Sequence, residues 1–113
     1  MLRTWLAAGV ATAIIVGGSP VVAQQDGALV GLHQLGRVGN KICMVDHFHT
    51  GTSAGKDSRK QAETAAISDW AGFTAWEYGG HWGHWGMAES KSMSCSQAGG
   101  WSCTVEARAC RRR

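Results

Sequence analysis

Beyond its first twenty or so residues the chain has no second long apolar run, no Cys-x-x-Cys pair, no basic face and no motif specific to a named reaction. Each absence excludes something. Without another apolar run, nothing after the N-terminus is expected to span a bilayer as a helix. Without Cys-x-x-Cys, a thiol oxidoreductase lacks its usual reactive pair. The formal charge of +3 invites a nucleic-acid reading, yet Arg111, Arg112 and Arg113 supply the whole excess. Residues 24–110 hold 7 Lys and Arg against 8 Asp and Glu, unlike the basic stripe that tracks phosphates. Nucleic acid is therefore not an expected partner, and the basic tail 111–113 reads as solvated.

The start of the chain reads as an export signal. Arg3 precedes an apolar run from Leu6 to Gly18, and Ser19-Pro20-Val21-Val22-Ala23 closes it with a small residue at the expected cleavage point. Cleavage after Ala23 leaves no cysteine at the new N-terminus, which argues against a lipoprotein, and no further membrane segment. Removing residues 1–23 from a chain of 113 leaves 90, one small domain. Such a domain buries somewhat over ~60% of its unfolded surface, a marginal core. Cys43, Cys95, Cys103 and Cys110 all remain, and an even count behind an export signal reads as a disulfide framework in the periplasm or outside the cell.

The elements follow from local pattern. Residues 24–40 are Gly-rich, show no sustained period and read as a loose arm. Lys41 to Thr50, "KICMVDHFHT", has the composition of a strand, and 51–55 that of a loop. Ser58 followed by Gln61 is a capping-box start for a helix expected to run to about Tyr78 and stop at Gly79-Gly80. Ala62, Ala66, Trp70 and Phe73 share its expected core face, and Arg59 and Lys60 can pair with Glu63. Gly72 weakens the middle of this helix.

"MSCSQAGGWSCTV" then offers two hairpin registers. A two-residue Gly99-Gly100 turn would mix apolar and polar residues on both faces. A three-residue loop, Ala98-Gly99-Gly100, pairs Met93 with Val105, Cys95 with Cys103 and Gln97 with Trp101, and only this register gathers the apolar side chains on one face. If the strand runs on, Cys103 and Cys110 are then about 23 Å apart along it, beyond the ~7 Å Cα limit for a bridge, and Cys95 is similarly distant from Cys110, which lies well past its level on the neighbouring strand. Cys95–Cys103 and Cys43–Cys110 remain. The longer bridge closes a loop that chain entropy values at roughly 4 kcal/mol. The expected fold is a small α+β domain over 41–110 in β-α-β-β order, its helix packed on an antiparallel sheet.

The succession "CMVDHFH", "AISDWAGFTAWEYG", "KSMSC", "WSC" and "VEARAC" resembles an uncharacterised family of small exported bacterial proteins with a C-terminal W-S-C…E-A-R-x-C segment. The resemblance covers roughly Lys41 to Cys110. It implies export and a compact cysteine-bearing domain, and brings no activity, cofactor or site residue with it.

Several stretches bear on chemistry. Gly51-Thr52-Ser53-Ala54-Gly55-Lys56-Asp57 imitates a phosphate-cradling loop but is one residue short, and Asp57 stands where a hydroxyl must hold magnesium. His47 and His49, two apart on a strand, would share one face, and two imidazoles can ligate Zn(II) or Cu(II). "HWGHWG" places His81 and His84 three apart beside Trp82 and Trp85. The two histidines could join His47 and His49 in a metal site, the two tryptophans could form a platform for a glycan, small molecule or protein, or both indoles could simply fill the core. Asp46 with His47 could serve acid–base chemistry in a small hydrolase, but 90 residues leave little room for a cleft and no spacing selects a catalytic set. The expectation is a non-enzymatic exported binding protein, with Zn or Cu binding as the alternative and no certain cofactor.

Overall fold

The structure, a computed structural model, describes residues 9–12, 17 and 26–113. The expected export segment and its cleavage point lie almost wholly outside these residues. No helix among the described residues is long and apolar enough to cross a membrane.

Among the described residues six strands and one long helix follow one another as β1 (Leu35–Val38), β2 (Lys41–Met44), β3 (His49–Thr52), α1 (Arg59–Tyr78), β4 (Glu89–Gln97), β5 (Trp101–Arg108) and β6 (Cys110–Arg112). They form two antiparallel three-stranded sheets, ordered β1-β2-β6 and β3-β5-β4. The class is α+β with two disulfides, but the element order is not the simple β-α-β-β.

Three differences explain that. The segment read as a loose arm carries a 3-10 turn over Ala28–Leu32 and then β1, which pairs with β2 across the two-residue turn Gly39-Asn40, Gly39 having φ +58°. The expected strand 41–50 breaks at Val45 to Phe48 into β2 and β3, which belong to different sheets. Arg108 Nη1 secures the bend by donating to Met44 O at 3.0 Å and Val45 O at 3.4 Å. The chain also changes sheets at Ala109, whose carbonyl accepts from Met44 N at 2.9 Å, so the basic tail enters β6 and pairs with β2. A backbone ladder, indifferent to side-chain charge, holds Arg111 and Arg112.

The hairpin β4–β5 has the register of the three-residue loop, with Met93 opposite Val105, Cys95 opposite Cys103 and Gln97 opposite Trp101. Cys103, Val105 and Ala107 are buried, whereas Thr104 and Glu106 face solvent. Disulfides join Cys95 to Cys103 and Cys43 to Cys110, the latter tying β2 to β6 where the two cysteines stand opposite.

Helix α1 begins where Ser58 Oγ accepts from Gln61 N at 3.1 Å, and ends at Gly79, which has φ +112°. Its buried ridge is Ala62, Ala66, Trp70, Thr74 and Tyr78, a strict four-residue spacing. Phe73, expected on the core face, is instead 45% exposed. Close approach to β3 depends on Gly51, where a Cβ would stand 2.2 Å from Ala66 O and 2.6 Å from Trp70 N. Asp69 accepts from Thr52 N at 2.8 Å and fastens the helix to this edge strand. Met44, Trp70, Tyr78, Trp82 and Val105 complete one continuous core.

Candidate metal centre

"HWGHWG" forms two 3-10 turns, Gly80–Trp82 and Trp85–Met87, on either side of His84. Trp82 is 0% exposed, and its Nε1 donates to Asp26 Oδ1 at 2.7 Å. Trp85 is partly buried and meets Trp70 edge to face at 5.2 Å. Trp82 is therefore a core residue and not available as a surface platform, while Trp85 packs on the core with part of its ring exposed. The most exposed tryptophan described is Trp76, at 79%, stacked beside Phe73.

The histidines divide into two groups. His49 opens β3 and faces the last two turns of α1, because its strand partner Ala107 points the same way. Its Nδ1 lies 2.9 Å from Thr74 Oγ1 and its Nε2 3.0 Å from Tyr78 Oη, while the Tyr78 ring stacks on it at 4.6 Å. With only 2% of its side chain exposed, burial holds its pKa below the ordinary imidazole range, the charge of Glu77 opposing and the nearby His47 and His33 adding to the shift. Burial, with the charge of Glu77, likewise raises the Tyr78 phenol well above its ordinary value, so it stays protonated.

Around this fixed pair stand His33, His47 and Glu77. His33 follows the first 3-10 turn, His47 sits in the bend between β2 and β3, and Glu77 is in the last turn of α1. The His33 and His47 rings are 4.3 Å apart, and His47 meets His49 edge-on at 5.1 Å. One ligand atom from each of His33, His47 and Glu77 lies within 4.8 Å of the other two, and all three residues are half-buried. Glu77 Oε2 is 2.9 Å from His49 Nε2, which also lies 3.0 Å from Tyr78 Oη, yet this buried oxygen has no aligned hydrogen bond. A buried carboxylate oxygen with unused acceptor capacity is suited to a cation.

Two imidazoles and a carboxylate make a three-ligand set that leaves one position of a tetrahedral ion open. Adjacent donors around such an ion stand about 3.3 Å apart at bond lengths of ~2.0–2.1 Å, so small rotamer changes close the set. Of the expected metal residues, His47 is here and His49 stands behind it. His81 and His84 are not part of this group; His81 Nε2 instead lies 2.7 Å from Asp26 Oδ1. The sequence reading did not single out His33 or Glu77. One signal was available for Glu77, since a carboxylate in the last turn of a helix opposes the macrodipole and asks for another reason.

The remaining candidates have structural places. Asp46 is exposed in the bend, and all four cysteines are bridged. Gly51 is covered by α1, so the phosphate-loop imitation is a strand followed by a turn at Gly55. The fold and this cluster together define a small disulfide-stapled α+β domain with a histidine–carboxylate group at one end of its helix. Comparison with protein-family models, curated proteins and solved structures gives no match to this chain.

Proposed function

We propose that this is an exported, non-enzymatic protein that binds a transition metal, Zn(II) or Cu(II), through His33, His47 and Glu77. The observation that carries the reading is the convergence of these three donors from an arm, a bend and a helix end, within 4.8 Å of one another. His49 is a positioning residue: held by Thr74 and Tyr78, it backs His47 and Glu77 without being free to ligate. Borderline imidazole donors with one carboxylate suit Zn(II) and Cu(II) better than Mg(II) or Ca(II). The two disulfides suit an oxidising compartment, and the N-terminal signal pattern supports export to the envelope or beyond. The open fourth position takes water or a donor from the medium, consistent with carriage or buffering of the metal.

Calorimetric titration of the oxidised chain beginning at Gln24 tests this. One equivalent of Zn(II) or Cu(II) is expected, weakened at least tenfold by His33→Ala, His47→Ala or Glu77→Gln and unchanged by His84→Ala. Binding that survives His33→Ala/His47→Ala, or that is lost only with His84→Ala, overturns the assignment.

A further inference from the structure

The second histidine group has the opposite electrostatic character. His81, His84, Met87 and Arg112 line a cavity of about 480 Å³. A second cavity of about 570 Å³ shares Met87 and Arg112 and continues past Lys41 and Arg113. The acids nearby are already engaged. Asp26 Oδ1 receives His81 Nε2 and Trp82 Nε1, each at 2.7 Å, and Arg111 Nε stands 3.2 Å away, while Glu89 is paired with Lys41. Arg112 and Arg113 have no carboxylate partner among the described residues.

His81 is oriented for use. Because Asp26 takes Nε2, the remaining ring atom is Nδ1, which is buried and has no hydrogen-bond partner. A carboxylate on one ring nitrogen fixes the ring, and the other can donate to an anion when the ring carries both protons. Arg112 stands opposite Lys41 in the β2–β6 ladder two residues beyond the Cys43–Cys110 bridge, which fixes its backbone and leaves its side chain exposed at the cavity. These are the components of an anion site: a guanidinium with several donors, imidazoles that donate when protonated, and neighbouring Asp26 and Glu89 side chains already paired.

We propose that this cavity binds a small oxoanion, a phosphate or carboxylate group, between Arg112 and the His81–His84 pair, with Met87 against its apolar part. Arg112 also disfavours a second metal centre at this histidine pair. A fixed positive charge on the cavity wall repels a cation, whereas the charged neighbour of His33 and His47 is Glu77. The domain thus sorts its histidines by neighbouring charge into a cation site and an anion site.

The test uses the oxidised protein, stripped of metal by a chelator that is then removed by dialysis so that the first centre is empty. Inorganic phosphate and acetate are titrated separately at constant ionic strength, with the His81 and His84 ring resonances followed by NMR. Saturable shifts of both rings are expected with at least one probe; phosphate alone marks a phosphate ligand, acetate alone a carboxylate. Affinity should fall at least tenfold in Arg112→Ala and in His84→Gln, partly in Arg112→Lys, and not in Lys60→Ala, whose side chain lies on α1. His84 is exposed, so its variant keeps the fold and isolates the binding effect. Non-saturable shifts with both probes, equal weakening by Lys60→Ala, or, in a separate metal titration, Cu(II) or Zn(II) binding abolished by His84→Gln overturns the proposal.

Discussion

At the scale of single residues, His49 shows how burial turns a titratable group into a structural one. Its ring is enclosed by Thr74, Tyr78 and Phe73, and burial outweighs the attraction of Glu77, so its pKa in the folded chain lies below 6.5. The unfolded chain then takes up this proton first. The stability that depends on the neutral ring is complete above about pH 6.5 and is lost as pH falls below it towards the folded-state pKa, at no more than about 1.4 kcal/mol per pH unit. Thermal melts of the metal-free protein between pH 7.5 and 5 should show this loss, and His49→Gln, which keeps polar contacts but cannot titrate, should flatten it. An unchanged slope in His49→Gln would assign the loss to other groups. Asp26 acts in a separate window. Burial works to raise its pKa, but donation from Trp82 and His81 and the charge of Arg111 outweigh burial and lower it, so its contribution is lost only under more acidic conditions, below 3.8.

At the scale of elements, what could be read from the sequence was what depends on strict local rules. A one-residue slip inverts every side chain, so the faces of β4 and β5 selected their register, and the cap at Ser58 with the glycine stop at Gly79 bounded α1. Corners were not legible. In "ICMVDHF" the one mark is Asp46, a poor strand former on the apolar side of the alternation, which fits a strand end as well as a buried acid and does not show that β2 and β3 enter different sheets. Strand β1 was hidden by Gly36 and by its shortness, although Gly39-Asn40 is a turn pair. Strand β6 was hidden by its arginines, because an edge ladder asks nothing of side-chain polarity. The helix face was legible as far as Trp70 and failed at Phe73, where the four-residue ridge led by close packing on Gly51 replaced the average 3.6 spacing. That packing makes two glycines behave oppositely. Gly51→Ala puts a methyl against helix backbone that cannot swing aside, and should destabilise by about 3 kcal/mol or more. Gly72→Ala, in open space on the same helix, should stabilise by up to ~1 kcal/mol. Urea denaturation of both variants checks the pair; similar effects would mean that the helix does not rest on β3 at Gly51.

At the scale of the whole molecule, the candidate centre could not be found by spacing because its donors at positions 33, 47 and 77 are brought together only by tertiary structure. The arm reaches the helix through Gly27, whose N–H donates to Tyr78 O at 2.7 Å and whose missing Cβ lets it pass against the Glu77 carbonyl. His47 is delivered by the same corner that moves the chain between sheets, and β2, on one side of that corner, is held by the Cys43–Cys110 bridge. A metal bound by these residues therefore closes a connection among arm, corner and helix that the unfolded chain lacks. Binding confined to the folded state stabilises by about 2.7 kcal/mol at a free metal concentration of 100 times Kd. For a domain of this size that raises the melting temperature by roughly 10–20 °C. The disulfides set the background without supplying this gain, since neither includes the arm before β1. The metal should also slow hydrogen exchange at the Val30 and His33 amides, both bonded within the arm's 3-10 turn, while leaving the β4–β5 amides at their metal-free rates. Melting and exchange with and without Zn(II), in the wild type and His33→Ala, measure this directly. A stabilisation that persists in His33→Ala, or that appears without added protection of the arm, would show that the metal binds elsewhere and that the arm is not part of its site.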